Sequence, residues 1–231
     1  MKKRIYLPSE AAYFISIIIL SFSVALASAA NFGVSMIVAP AYILSLKLGF
    51  ITFGQSEYIL QAIFFVIMCI VLRKVKLVYF SSFVTCIIYG AVLDFWRAVI
   101  PLLNPNITAP GSMAMPIRIT FFVVSIILTS FSIAICFKSY LYPQVYDFFV
   151  KAVSAHFNIE RSKFKIYFDA FFLILGSVMT LAFFRKFIGV SFGTLIITLV
   201  NGRLIGLFEK FFDKFFDIKP VFNNLAEKFD I

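Results

Sequence analysis

The chain has 231 residues, of which 62% are hydrophobic and only 14% are charged. A soluble domain carries roughly 25% charged residues, so this composition excludes a water-soluble fold and indicates an integral membrane protein. At about 20 residues per spanning helix, residues 1–231 are predicted to form a single membrane domain. The net charge is +10, and its cations flank apolar segments. This placement predicts the lipid bilayer as a partner, and no nucleic acid.

The first apolar segment, residues 16–31 (SIIILSFSVALASAAN), follows the basic start MKKR and ends on small residues. A cleaved signal peptide has the same pattern. However, residues 125–135 (SIILTSFSIAI) repeat residues 16–26 (SIIILSFSVAL) with seven of eleven positions identical. Because the copy in mid-chain cannot be a signal peptide, the first segment is predicted to be a retained transmembrane helix.

Apolar runs recur along the whole chain, and none alternates in the manner of a barrel strand, so all are predicted to be helical. Two of them are unlike a lipid-exposed helix. Residues 33–46 are short and contain Pro40, and residues 139–157 start near Pro143 and carry Asp147, Lys151 and His156. The runs lie at residues 11–30, 33–46, 57–72, 77–100, 117–137, 139–157, 166–184 and 190–208.

The repeated segment belongs to a longer internal repeat. Gln61 pairs with Asp169 at nearly the same offset, and Gly90 pairs with Gly202 once short gaps are allowed. The sequence therefore predicts two halves, residues 11–100 and 117–208, each with long, broken, long and long segments. If the broken segments do not cross the membrane, each half has three crossings and the halves are inverted. The expected fold is all-α, with about six transmembrane helices plus two broken, re-entrant or interfacial segments.

The distribution of cations predicts the orientation. With six crossings and a cytoplasmic N-terminus, most of the 21 Lys and Arg residues fall on the cytoplasmic side, as the positive-inside rule prefers. Both termini are therefore expected in the cytoplasm. Residues 209–231 are predicted to be an amphipathic cytoplasmic tail, because FEKFFDKFFDIK places phenylalanines on one stripe and charges on the other.

Two short motifs carry a family resemblance. Gly33-Val34-Ser35 leads to Pro40-Ala41-Tyr42, and residues 189–194 read GVSFGT, with Gly202 following. With these motifs, residues 11–210 resemble the YczE/YyaS/YitT family of small multi-pass membrane proteins. The resemblance implies a bacterial inner-membrane protein of transporter-like character. It implies no particular substrate.

Ionisable groups inside membrane helices are costly and are candidates for function. Asp169 lies within its helix and is bracketed by apolar residues; the alternative is a carboxylate at the membrane interface. Gln55, Glu57 and Gln61 lie on the first turns of a predicted helix, and Glu57 and Gln61 share one face of it. The alternative is that Ser56 and Glu57 only cap the start of this helix. Asp94 can bind a substrate or pair with Arg97 on one helix face.

In the last helix, two polar residues interrupt an apolar run. Arg203 either neutralises Asp169 or an anionic substrate, or snorkels to the membrane surface. Asn201 lies beside it in sequence. The complete set of predicted substrate-binding residues is Gln55, Glu57, Gln61, Asp94, Asp169, Asn201 and Arg203.

No catalytic motif is present, so the protein is not expected to be an enzyme. The three cysteines lie in apolar runs without metal-ligand spacing, and His156 is the only histidine. These features predict no cofactor and no metal site.

Two functions remain open. The first is a small transporter or substrate-binding membrane subunit that takes an unknown small molecule or ion between inverted halves. The second is a non-transporting membrane scaffold or regulatory protein that docks a protein partner, or a second copy of itself, through cytoplasmic amphipathic helices. The two hypotheses are distinguished by whether Asp169, Gln61, Glu57 and Arg203 converge on one cavity.

Overall fold

The computed structural model of the protein describes residues 5–76 and 79–226. The basic start at residues 1–4, the beginning of the predicted run 77–100 and the end of the tail, residues 227–231, lie outside the described residues. Two short strands, β1 and β2, and a single helical turn, α9, occur near the chain ends. The elements are β1 (Ile5–Pro8), α1 (Ser9–Ala30), α2 (Ala39–Leu48), α3 (Phe53–Leu72), α4 (Phe80–Val99), α5 (Met115–Cys136), α6 (Val145–His156), α7 (Arg161–Phe184), α8 (Phe192–Phe215), β2 (Phe216–Lys219) and α9 (Asn223–Ala226).

Six helices of the described chain are long and apolar enough to cross a membrane: α1, α3, α4, α5, α7 and α8. Each predicted apolar run overlaps one of the helices α1 to α8, so the all-α membrane fold is confirmed. Local sequence explains several boundaries. Thr52 starts α3 with a reciprocal capping box to Gln55, and left-handed backbone at Asn31, Arg73 and Arg185 ends α1, α3 and α7. The amides of Arg73 and Arg185 donate to carbonyls in the last turn of α3 and α7 that the helix would otherwise leave unpaired.

The two predicted broken segments are the short helices α2 and α6. At a rise of about 1.5 Å per residue, their 10 and 12 residues are too short to span a membrane. Both are packed inside the protein: α2 against α3 and α7, and α6 against α3, α4 and α7. They are half-helices within the bundle.

The helices α1 and α5, which carry the repeated sequence, form the centre of the bundle and run antiparallel. The Ser132 hydroxyl donates to the Ser16 carbonyl at 2.6 Å near one end, and Arg118 Nε donates to the Ala30 carbonyl at 2.9 Å near the other. Small residues along α1 allow this close packing, as is common between membrane helices. The antiparallel arrangement of equivalent helices agrees with inverted halves.

Most other helix contacts in one half have an equivalent in the other half. Helix α4 packs on α1 as α8 packs on α5, and α6 packs on α3 as α2 packs on α7. Two contacts depart from the symmetry: α4 packs on α3 and on α6, whereas α8 makes at most marginal contact with α7 and with α2 over the described residues. The second half is therefore open where the first half is closed.

The strands were not predicted from the sequence. β1 and β2 pair in parallel, with Ile5 opposite Phe216 and Pro8 opposite Lys219, so the two ends of the described chain lie at the same membrane face. We call it the strand face. Helix α8 continues into the predicted amphipathic tail as far as Phe215, and β2 and the single turn α9 follow. Phe212 in the tail and Phe208 just before it pack on Phe131 of α5.

Candidate functional site

A cavity of about 740 Å³ lies in the interior of the bundle, between the two halves. Its walls come from α1, α5, α6, α7 and α8, from the segment 34–38 and from Tyr89 of α4. Because α7 and α8 are separated, residues of both helices border it. Toward the strand face it extends to Lys165 near the start of α7 and to Glu209 near the end of α8.

The opposite end of the cavity is closed by the two predicted glycine-bearing turns. The Gly193 amide donates to the Phe32 carbonyl at 3.0 Å, and the Val34 amide donates to the Gly189 carbonyl at 2.9 Å. A Cβ atom at Gly193 would overlap the same Phe32 carbonyl, so only glycine permits this contact. The turns thus form a seal between the halves at this end, and toward the strand face the cavity wall reaches Lys165 and Glu209.

Both half-helices begin at the wall of the cavity. The segment 34–38, which leads into α2, and residues 144–147, at the start of α6, line it. The start of α6 contacts Gln61, which lies eight residues, or about 12 Å, beyond the start of α3. The start of α2 lies beside Gly176, where an added Cβ atom would be 3.5 Å from that of Ala39. Helix starts inside a membrane present unpaired amides and a positive dipole end.

Gln61 ties the start of α6 to α3. Its Oε1 accepts the Val145 amide at 3.0 Å, and its Nε2 donates to Gln144 Oε1 at 3.1 Å. The same Nε2 donates to Glu57 Oε2 at 3.1 Å. Glu57 and Gln61 are both fully buried, so the predicted polar face of α3 is an internal network that reaches the cavity through Gln144.

Asp169 lines the cavity on α7, together with a charged group that the sequence did not single out. Lys165 Nζ lies 2.9 Å from Asp169 Oδ1 and 3.8 Å from Asp147 Oδ1. All three side chains border the cavity, as does Glu209 on α8. Lys165, and not Arg203, therefore balances the charge of Asp169.

Asn201 also borders the cavity, from α8. Its Oδ1 accepts a hydrogen bond from the Ser130 hydroxyl at 3.0 Å, which orients the amide between α5 and α8. Arg203, two residues further on, is exposed on the outer surface and lies outside the cavity wall. Of the two polar residues predicted in the last helix, the structure brings only Asn201 to the site.

Gln55 and Asp94 accept hydrogen bonds at the start of α3. Gln55 is exposed, and its Oε1 accepts the Thr52 amide at 2.9 Å. Asp94 reaches across from α4, where Oδ1 accepts the Gly54 amide at 2.9 Å and Oδ2 accepts the Thr52 hydroxyl at 2.5 Å. Neither residue belongs to the cavity wall. These two contacts are what a carboxylate at a helix start provides.

The alternative prediction for Asp94, an ion pair with Arg97, is absent among the described residues, where no such pair lies within 4 Å. The guanidinium of Arg97 instead lies over the ring of Phe53, with its carbon 5.2 Å from the ring centroid. The Asp94 carboxylate instead accepts hydrogen bonds from the amide and hydroxyl donors at the start of α3.

Sequence reasoning missed Gln144, Tyr146 and Lys165 as cavity residues. Gln144 and Tyr146 follow Pro143 at the start of a segment that the sequence already marked as broken, and polar residues at such a start are a usable signal. Lys165 lies just outside the apolar core of α7, where it resembles a topogenic cation. Its spacing of four residues from Asp169 is the signal that identifies it as the partner of that carboxylate.

The chain matches the model of a family of unknown function, DUF6198, over residues 7–210. It belongs to that family. The match covers five spanning helices, α8 as far as Lys210 and both half-helices, and therefore every residue of the cavity wall. No curated protein and no solved structure matches the chain.

Proposed function

We propose that the protein is a small transporter of the bacterial inner membrane whose substrate binds in the cavity between its inverted halves. The observation that carries the proposal is the cavity itself, which is bordered by the starts of two half-helices and extends toward the strand face. Transporters built from inverted repeats hold their substrates at such helix breaks. The chain's resemblance to the YczE/YyaS/YitT family and the cations near the strand face favour an inner membrane with a cytoplasmic strand face.

The chemistry of the wall suggests what kind of molecule fits. Leu20, Val24 and Ile126 are among the apolar side chains that form most of the wall, whereas Lys165 and Asp169 belong to a group of charges toward the strand face. Pockets that are mainly apolar with a few placed polar groups suit small molecules with an apolar body and one polar end. We therefore expect a small amphipathic substrate.

The unequal packing of the two halves suggests how substrate would pass. The seam between α7 and α8 is open, and its counterpart between α3 and α4 is closed. In an inverted repeat, exchanging the conformations of the halves produces the state that opens to the other face. In that second state, α7 would pack on α8, and α3 would separate from α4.

The alternative function, a scaffold that docks a partner, has less support. The apolar side of α6, including Phe148 and Phe149, is buried inside the protein, so this helix offers no docking face. On α8, the exposed Phe211 and Phe215 border a shallow groove with Lys210 and Lys214. This groove is the surface that remains for a protein partner or a second copy of the chain.

Accessibility of the cavity from each face distinguishes the two functions. In a variant whose three cysteines are replaced by alanine, Asn201→Cys is treated with a membrane-impermeant thiol reagent in vesicles of either orientation. Transport predicts fast labelling from the strand face and slower labelling from the opposite face. An Ile107→Cys variant in the exposed loop 100–114, labelled from one side only, controls for vesicle orientation. Labelling of Asn201→Cys exclusively from the strand face would favour the scaffold.

A further inference from the structure

Glu57 is a buried acid that has no compensating charge among the described residues. Its side chain is completely buried on α3, one turn after the helix start. Oε2 accepts a hydrogen bond from Gln61 Nε2 at 3.1 Å, whereas Oε1 has no hydrogen-bond partner among the described residues. No Lys or Arg side chain of the described chain lies within ion-pair distance of it, in contrast to Asp169, which has Lys165.

The neighbouring helices present only weakly acidic groups to Glu57. Cys86 and Tyr89 face it from α4, and Tyr146 faces it from α6. The described part of α2, the third helix packed on α3, presents no titratable group to it. An ionised carboxylate with a single amide donor and no cation is costly to bury. A bound positive charge would remove this cost at Glu57.

A short path joins Glu57 to the cavity. Tyr146 is buried beside the carboxyl group, its hydroxyl has no hydrogen-bond partner in the described chain, and its side chain also borders the cavity. Gln144 provides a second connection, since its Oε1 accepts from the same Gln61 amide group that donates to Glu57. One side chain therefore separates the buried acid from the cavity.

We propose that Glu57 is a proton-binding site that couples the proposed transport to protons, with Tyr146 as the relay from the cavity. This inference rests on the proposed function. In the loading step, the Tyr146 hydroxyl gives its proton to Glu57 Oε1 and receives another from the cavity side. One O–H bond breaks and one forms at the tyrosine, a new O–H bond forms at the glutamate, and one proton has moved. Carboxyl groups inside membrane helices commonly serve such relays.

Loading also affects the structure, because Gln61 is shared. The same Gln61 side chain that donates to Glu57 Oε2 also holds the Val145 amide and Gln144 at the start of α6. A change in the charge of Glu57 alters the strength of that shared hydrogen bond. The state of Glu57 thereby biases the position of a half-helix that lines the cavity.

Infrared difference spectroscopy of the purified protein, recorded between two pH values within its folded range, tests the proton site directly. We expect the C=O band of a carboxylic acid that titrates in the wild type, is lost in Glu57→Gln and is retained in Asp169→Asn. Tyr146→Phe keeps the carboxyl group and should retain the band while slowing its exchange with deuterated solvent. Absence of a Glu57-dependent band at every pH would overturn the proposal.

A second measurement shows whether the variant folds, and it distinguishes a site that binds protons from one that binds sodium ions. The melting temperature of the wild type and of Glu57→Asp is compared in sodium chloride and choline chloride. If Glu57 binds a proton, the melting temperature should be the same in the two salts. Stabilisation by sodium alone would assign the site to a metal cation and overturn the proposal. A titrating Glu57 band in a protein whose Asn201→Cys variant is labelled from the strand face only would keep the proton site and reject the transporter.

Discussion

Gly54 and Gly90 bring α3 and α4 into backbone contact. A Cβ atom at Gly54 would overlap the carbonyl group of Gly90, and one at Gly90 would overlap the ring of Tyr58. Gly202, which the repeat pairs with Gly90, has open space around it. Equivalent glycines thus lie in a closed seam in one half and in an open seam in the other.

This difference predicts unequal effects of one substitution. Gly54→Leu should destabilise the protein by about 1–3 kcal/mol, the usual cost of overpacking, because the added side chain forces α3 from α4. Gly202→Leu brings the same gain in helix propensity without a clash, so its melting temperature should equal or exceed that of the wild type. Equal destabilisation by both substitutions would contradict the open seam.

Gln61 is expected to be essential for the position of α6. Gln61→Leu removes the acceptor of the Val145 amide and the donor to Gln144, and each buried group left unpaired costs about 1–3 kcal/mol. We expect a lower melting temperature and faster proteolysis around α6. Gln55→Leu, at the exposed helix start, is the matched control and should lose only a capping bond, at about 0.5–2 kcal/mol. A Gln61→Leu protein as stable as this control would remove Gln61 from its assigned role.

The two aspartates should separate stability from ligand binding. Asp94→Asn weakens the start of α3 and should lower the melting temperature, but it should leave intact any thermal shift caused by compounds from a metabolite and lipid panel. Asp169→Asn should abolish the shift produced by a compound that binds the cavity, and Arg203→Gln, on the outer surface, should retain it. A compound whose shift disappears in Arg203→Gln and persists in Asp169→Asn would locate binding elsewhere.

The seal at the closed end rests on Gly193. Gly193→Val places a side chain against the Phe32 carbonyl, which should separate the two turns and admit solvent from the opposite face. Combined with Asn201→Cys, this substitution is expected to raise the labelling rate from that face at least several-fold. Gly206→Val on α8, where a Cβ atom meets nothing within 4 Å, is the control and should leave the rate unchanged.

The sequence predicts most of this fold because long apolar runs, prolines and an internal repeat are local or periodic signals. The short half-helices around Pro40 and Pro143 were recognisable for this reason. The site was less accessible to prediction. Glu57, Gln61, Asp169 and Asn201 lie in or next to the cavity, but an isolated polar residue looks the same in sequence whether it faces a cavity or, like Arg203, the outer surface.

The strands and the third member of the charge cluster could not be predicted for a different reason. β1 and β2 are four residues each and pair across more than 200 positions, a contact that no local pattern encodes. Lys165 and Asp169 are four residues apart on α7, a spacing that is visible in the sequence. Asp147 joins them from α6, and this contact depends on tertiary packing.

The exchange of open and closed seams can be measured most directly by spin-label distances. Tyr167 and Leu207 are exposed on α7 and α8, and the repeat pairs them with the exposed Ile59 and Phe95 on α3 and α4. In lipid, we predict two distance populations for a label pair at 167 and 207, and two for a pair at 59 and 95. Conditions that shift the balance between the two conformations should lengthen one distance as they shorten the other. A single unchanging distance in both pairs would contradict the account.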